Sequence, residues 1–387
     1  PTPNPTVMAV QSSTSNPSAP APARRGRRGH RSDWLWALLF LAPSLLGILV
    51  FVAGPILMSV VISLTDWRLA SPLTVESLSA NWLGFDNYAQ LLGWREASWS
   101  LEKNLVWRLP LLLLSLGGLL WFVRRGVTPL WGAGLGLLSL LLLGYFAGVE
   151  AVWQDRRFWT SFWNTLYFVS LSVPLTVVIS LLLAIALNRP MRGVALYRAA
   201  YFMPIISGAV AVSLVWRWMF NPTIGPVNQF LAFFGVSGPA WLSDRVWAMP
   251  AIIITDVWSN VGFFMVIFLA GLQAIPGHYY EAADIDGAGA WYKFWNVTVP
   301  LLSPTTFLNT ILALIAAFQV FTLPFIMTEG GPAGATRVLV YYMYERAFAT
   351  PFRMGYGSAI AWIVFVILFA LTALQWVARR KWVVYEE

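Results

Sequence analysis

Asp256 and Asn260, in "TDVWSNVGFF", stand four residues apart and so share one face of a helix, where a carboxylate and an amide can both hydrogen-bond a polar ligand. They lie in an apolar run, and an ionised group at mid-bilayer costs roughly 2.5–3.5 kcal/mol on insertion scales, so it is kept where it faces protein or water. Trp258, between them, offers a flat apolar surface for stacking on a ligand ring. Asn309 and Gln319, in the next apolar run, complete the polar candidates at membrane depth. The alternative for each is a hydrogen bond between neighbouring helices. Asp256 is also close enough to the start of its run to be solvated.

Hydrolytic and metal chemistry lack their parts. The 387 residues include no cysteine and two histidines, His30 and His278, which leaves no thiolate site and too few imidazoles for a metal centre. Lys103, Lys293 and Lys381 are the only lysines and none follows a glycine, so the Gly-Lys-Ser/Thr turn that cradles phosphates is missing. Neither a GxSxG elbow nor an HExxH helix is present. The chain is therefore expected to hold no cofactor of its own and to be no enzyme. What remains is a passive scaffold, a channel, an ion-coupled carrier, or one subunit of a pump whose motor is elsewhere.

The elements that must position these residues are bilayer-spanning helices. Hydrophobic residues make up 58% of the chain and charged ones 11%, with a mean hydropathy of +0.66, against about a quarter charged in soluble domains. Residues 1–23 read as a disordered tail, followed by the basic run "RRGRRGHR" at 24–31. The apolar stretch from Trp34 to Leu64 is longer than the core of a cleaved signal and reads as an uncleaved span. Further runs of bilayer length lie at 104–123, 130–149, 162–187, 199–219, 247–272, 304–326 and 357–378, which predicts an all-α polytopic bundle of eight spans.

With the basic tail inside, the segments 1–33, 124–129, 188–198, 273–303 and 379–387 are cytoplasmic. They carry the whole net charge of +8, and the remainder balances at zero. That asymmetry obeys the positive-inside rule, so the charge points to a membrane orientation rather than to nucleic acid. Removing either of the runs at 104–123 and 130–149 would flip every later loop, so both span or neither does; a hairpin lying in the interface is the rival. Most of the 22 tryptophans cluster at span ends, as interfacial anchors do.

One cytoplasmic stretch is unlike a plain loop. In "HYYEAADIDGAGAWYKFWNVTVPLLSP", Tyr280 to Asp286 reads as a short helix with acids in its first turns, and Gly287 supplies the left-handed cap. A second short helix sets Trp291, Phe294 and Trp295 at i, i+3 and i+4, and Pro300 and Pro304 close it, Pro304 opening the next span. The pattern predicts a docking element.

"EAADIDGAGAWYKFWNVTVPLLSP" resembles the EAA loop of ABC-importer permeases. The flanking "FWNTLYF" (162–168), "LNRPMRG" (187–193), "RAAYFMP" (198–204), "VWRWMFNP" (215–222), "VIFLAGLQAIP" (266–276), "EGGPAGATRVLVYYMYERAF" (329–348) and "GYGSAIAW" (355–362) resemble its carbohydrate-uptake, maltose-type branch. A lone Glu-Ala-Ala carries no signal; the ordered series does, over about 160–378 plus the first span and "LGFDNYAQLL" (83–92). The resemblance implies that loop 277–304 forms a coupling helix seated on an ATP-binding subunit. Glu281 would pair with a base there, Ala282 and Ala283 would allow close approach, and Gly287 would make the turn, with Asp286 and Pro300 in the same coupling loop. Trp291, Phe294 and Trp295 would seat the loop against its own bundle or the partner. Asp284 is as readily a solvated residue.

The same resemblance implies partners: two ATP-binding cassette subunits that hold ATP and Mg, a second and related permease, an extracytoplasmic solute-binding protein, and membrane lipid. It places the chain in a bacterial or archaeal cytoplasmic membrane with both termini inside, importing a sugar, oligosaccharide or polyol. In family members of ordinary length the segment matching 83–92 leads almost directly to that matching 162–168. The expected domains are therefore a basic tail (1–33), a first span with its extracytoplasmic segment (34–92), an insertion with two extra spans (93–157), a core (158–378) that completes the usual six spans, and a tail (379–387). An ion-coupled carrier working alone would instead show inverted repeats, and a lipid-linked glycosyltransferase paired extracytoplasmic acids, for which "SDR" (243–245) is too little.

Overall fold

The computed structural model describes residues 30–93, 154–189 and 191–379. The expected extra spans at 104–123 and 130–149 lie outside the described residues, as do most of both tails. Every regular element among the described residues is helical, apart from two isolated bridges, Thr65 to Trp82 and Arg68 to Arg353.

The chain divides into two units, residues 1–57 and 58–387. The described part of the first holds α1 (His30–Ile48), a π-helical turn (Leu49–Ala53) and the start of α2 (Gly54–Ser63). Phe40, Leu46, Leu49 and Phe51 lie on different sides of this rod and are all exposed. A helix apolar on every side is stable in lipid rather than in water.

The second unit continues through α3 (Val75–Ala80), α4 (Asp86–Leu92), α5 (Arg156–Leu187), α6 (Val194–Ile206), α7 (Ala209–Met219), α8 (Pro226–Phe233), α9 (Ala248–Ala274) and α10 (Gly277–Ile285). It ends with α11 (Ala290–Lys293), a π turn (Phe294–Thr298), α12 (Val299–Leu301), α13 (Ser303–Phe318), α14 (Thr322–Met327), α15 (Leu339–Phe348) and α16 (Met354–Ala378). Its centre is α9, which packs along α5 and also meets α6 and α13. Ile252, Met265 and Phe268 of α9 interlock with Phe168 and Val169 of α5 and with Leu314 and Phe318 of α13.

Five helical stretches are long and apolar enough to cross a bilayer: Trp36–Ser63, Arg156–Leu187, Ala248–Ala274, Ser303–Met327 and Met354–Val377. The sixth expected core span, 199–219, is not one rod. It breaks into α6 and α7, bent by 98°, at Ser207 and Gly208, where Gly208 takes a left-handed φ of +78°. Composition conceals this, because both halves are equally apolar. The described residues thus contain five candidate spans, or six with the bent pair, of the eight expected along the whole chain, and the other two expected runs lie outside the described residues.

At one end of the bundle a buried carboxylate ties three elements together. Asp155 caps α5 by accepting from the Phe158 amide at 3.0 Å and accepts the Tyr342 hydroxyl at 2.6 Å, while Tyr356 donates to the same oxygen. Burial and the Asp155 carboxylate push the Tyr342 hydroxyl well above its ordinary range, so it stays a donor. Beside this cluster the Gln154 amide donates to the Gly93 carbonyl at 2.9 Å, and the Trp159 indole donates to Leu91 O at 3.1 Å. The chain therefore leaves at Gly93 and returns at Gln154 on the same side of the bundle, which a pair of spans and an interfacial hairpin both require.

Candidate functional site

The loop after α9 folds as an outward elbow. Its first arm, α10, starts at Gly277, so the expected acids do not sit in its first turn: Glu281 is mid-helix, Asp284 is in the last turn, and Asp286 is the C-cap. Gly287 has φ +73°, and its amide donates to Asp284 O at 3.0 Å while the Ala288 amide donates to Ala283 O at 2.9 Å. Those two bonds are a Schellman cap, which closes the helix and turns the chain.

Two side-chain ties hold the second arm against the first. Lys293 Nζ meets Asp284 Oδ1 at 2.7 Å, so Asp284 braces the loop rather than simply facing water. The Tyr280 and Thr298 hydroxyls lie 3.0 Å apart. Among the described residues the Glu281 carboxylate forms no ion pair or hydrogen bond, and it is exposed, as are Ala282, Asp286 and Gly287; Ala283 is half-buried. Ile285, at the tip, is 87% exposed.

Trp291, Phe294 and Trp295 make the expected stripe, but they pack on one another, with ring centres 5.0 to 6.1 Å apart. Trp291 and Trp295 stay exposed instead of folding onto the bundle. The second helix also runs past its expected end. A π turn at Phe294–Thr298 admits Pro300 into α12, since the wider turn relieves the clash and the missing amide that proline brings. Pro304 opens α13 as expected.

The second candidate is a recess between α5, α9 and α13, lined by Ser172, Val173, Thr176, Asp256, Asn260, Phe264, Ala313, Ala316 and Ala317. Asn260 Nδ2 donates to Asp256 Oδ1 at 3.0 Å and to Asp256 O at 2.9 Å, and the Ser172 hydroxyl donates to Asp256 Oδ2. Three alanines of α13 leave room opposite these polar groups.

Of five residues expected along a substrate path, this recess takes only Asp256 and Asn260. Trp258, two residues on, points elsewhere and meets Trp216 edge-on at 5.5 Å. Asn309 is buried and donates to Phe264 O at 3.2 Å, a tie between α13 and α9. Gln319 caps the end of α13 and is exposed, outside the recess. Sequence reasoning missed Ser172 and Thr176, whose i, i+4 spacing on α5 was the available signal.

Apolar spans around a polar recess, with a braced elbow at the foot of the central helix, describe a polytopic helical membrane protein. The chain belongs to the family described as "Binding-protein-dependent transport system inner membrane component", whose model matches residues 140–382. It is thus an ABC-transporter permease of the inner membrane. It is 30% identical over 370 residues to the probable ABC transporter permease YesP of Bacillus subtilis, covering 95% of this chain and 97% of that one. Against the trehalose/maltose transport system permease MalF of Thermococcus litoralis the identity is 37% over 224 residues, 57% of this chain and 74% of the relative. The fold is similar to that of a bacterial ABC transporter involved in import of the acidic polysaccharide alginate, with a TM-score of 0.64, 18% identity, and 92% and 98% of the two chains covered.

Proposed function

We propose that this chain is the permease of an ATP-driven importer for an uncharged carbohydrate or polyol, driven through the elbow at Gly287. The observation that carries the reading is the elbow itself. Asp286 is exposed at the carbonyl end of α10, where the helix dipole disfavours negative charge, and Glu281 is exposed mid-helix with no partner among the described residues. A basic cleft on an ATP-binding subunit would relieve that local cost, with Glu281 as the pairing acid and Ile285 as the apolar tip. Ala282 and Ala283 allow close approach, and Trp291 and Trp295 offer an aromatic shoulder to the partner.

Two such ATPase subunits, holding ATP and Mg, complete the motor. The face of α13 that carries Leu312, Ala316 and Gln319 is open beside the recess, which suits a second, related permease as the other half of the path. A solute-binding protein on the far side would deliver cargo, consistent with the family's description. The elbow would then lie in the cytoplasm with both termini. In the recess, Ser172, Thr176 and Asn260 supply groups suited to sugar hydroxyls, and Asp256 with no base among the lining residues favours uncharged cargo over sugar acids or phosphates.

A second reading rests on Asp256, the one acid within the candidate spans of the described residues: an ion-coupled carrier could protonate it in each cycle. Reconstitution with co-expressed partner subunits separates the two. ATP-driven importers accumulate labelled sugar only when ATP is hydrolysed, and ionophores leave the rate unchanged. Uptake that ignores ATP and collapses with the proton gradient would overturn the proposal.

A further inference from the structure

Between Arg217 and Asp244 the chain carries no charged residue. This stretch joins the end of α7 to the start of α9, so it lies at the end of the bundle away from the elbow, and α8 is its only helix. The inner face of α8 is firmly fixed. Asn228 Nδ2 donates to Pro222 O and Pro239 O, each at 3.1 Å, and its Oδ1 accepts from the Trp241 indole at 2.7 Å. Val227 and Leu231 pack on the main core beside Trp241.

The outer face is equally apolar and uncovered. Phe230, Phe233 and Phe234 fall at i, i+3 and i+4 and are 65%, 83% and 64% exposed. Their rings touch, with centres 5.1 and 5.3 Å apart, and Ile224 and Val236 extend the exposed patch. A helix held rigidly with apolar residues on both faces is not one that ends in water.

We propose that α8 is an interfacial anchor, with Phe230, Phe233 and Phe234 sunk among the acyl chains just below the lipid headgroups. Three observations favour lipid over a protein partner. The stretch has no charge to steer or orient a docking protein. It follows directly on α7, whose Val210, Leu214 and Trp218 are likewise exposed. Trp218 and Trp247, both exposed, bracket it, and tryptophan concentrates at the membrane interface. Anchored in this way, α8 would hold the rim of the bundle at a fixed depth while the elbow moves at the other end.

The absence of cysteine gives a direct test. Phe230→Cys, Phe233→Cys, Phe234→Cys and Val236→Cys each offer one nitroxide site in the chain, with Gln229→Cys as a polar comparison. The full chain, in vesicles of phosphatidylethanolamine and phosphatidylglycerol, is measured alone and with cysteine-free partner subunits. We expect relaxation by dissolved oxygen to exceed relaxation by a water-soluble nickel chelate at the phenylalanine and valine positions, with the reverse at Gln229. Dominance of the nickel chelate at all four would mean a solvated surface open to a binding protein, and loss of both effects on assembly would mean burial under another subunit; either outcome overturns the proposal. Because the readout is depth rather than transport, it is independent of whether the cargo is a sugar.

Discussion

The elbow and the recess are built by opposite means. The elbow takes its shape from backbone and neighbours in sequence: a left-handed Gly287, two capping hydrogen bonds, and an ion pair spanning nine residues. The recess takes its shape from three helices that meet only after folding, with Ser172 and Asp256 separated by 84 residues. A locally encoded element can keep its form while it is carried as a rigid lever. A tertiary site changes when its helices shift against one another, and that is what a substrate path in a transporter must do.

The comparison breaks most sharply at Gly287. Nothing lies within 4 Å of a Cβ placed there, so Gly287→Val would act through conformation alone, at a cost of about 1–2 kcal/mol for a left-handed residue and more for a branched one. Sugar uptake should fall to background while the chain accumulates normally in the membrane and ATP hydrolysis by the complex continues uncoupled. Undiminished uptake would show that the elbow does not transmit. Glu281→Lys should do nearly as much by reversing charge at an exposed residue that has no partner among the described residues, and its signature is loss of the ATPase from co-purification.

At the recess the expected loss is smaller and of another kind. Asp256→Ala takes the acceptor from the buried Ser172 hydroxyl and one of the two Asn260 bonds, the one to the main-chain oxygen remaining, a penalty of about 1–3 kcal/mol. Half-saturation for uptake should rise by roughly an order of magnitude, with ATPase binding unchanged. Asp256→Asn keeps the shape and some of the bonds, so it should fall between wild type and Asp256→Ala. Equal effects on uptake and on ATPase assembly would erase the distinction between the two regions.

The same division explains what could be read in advance. Gly287, the aromatic stripe and Pro304 were legible because their consequences are local, and long apolar runs announce spans whatever their packing. The break at Gly208 was hidden, since a glycine and a serine within an apolar run are common in unbroken spans. Trp258 was grouped with Asp256 by proximity in sequence, although two residues carry a side chain to the opposite face of a helix. Asn309 was indistinguishable from a path residue until Phe264 appeared as its partner. Ser172 and Thr176 drew no notice because small hydroxyl residues are ordinary in membrane helices.

A milder change tests how the elbow is braced. Lys293→Met removes the tie to Asp284, whose side chain is 62% exposed, so its contribution is only about 0.2–1 kcal/mol and is screened by salt. Uptake should drop a few-fold at most, and the deficit relative to wild type should shrink as ionic strength rises, because salt weakens the wild-type brace too. A deficit independent of salt would assign Lys293 to contact with the partner.

The smallest effect should follow the largest deletion. Gly93 and Gln154 are joined by a backbone hydrogen bond of 2.9 Å, and Leu91 and Trp159 by another contact just beyond them. The core between α4 and α5 is therefore already closed at the point where residues 94–153 enter and leave. Replacing those residues with a short Gly-Ser linker should leave the elbow, the recess and sugar uptake unchanged, because the bonds on either side of the segment already hold α4 and α5 together. The measurement is uptake by the shortened chain beside its yield in the membrane. Normal yield with lost uptake would place part of the transport machinery in that segment, and would remove the case for treating the core as complete without it.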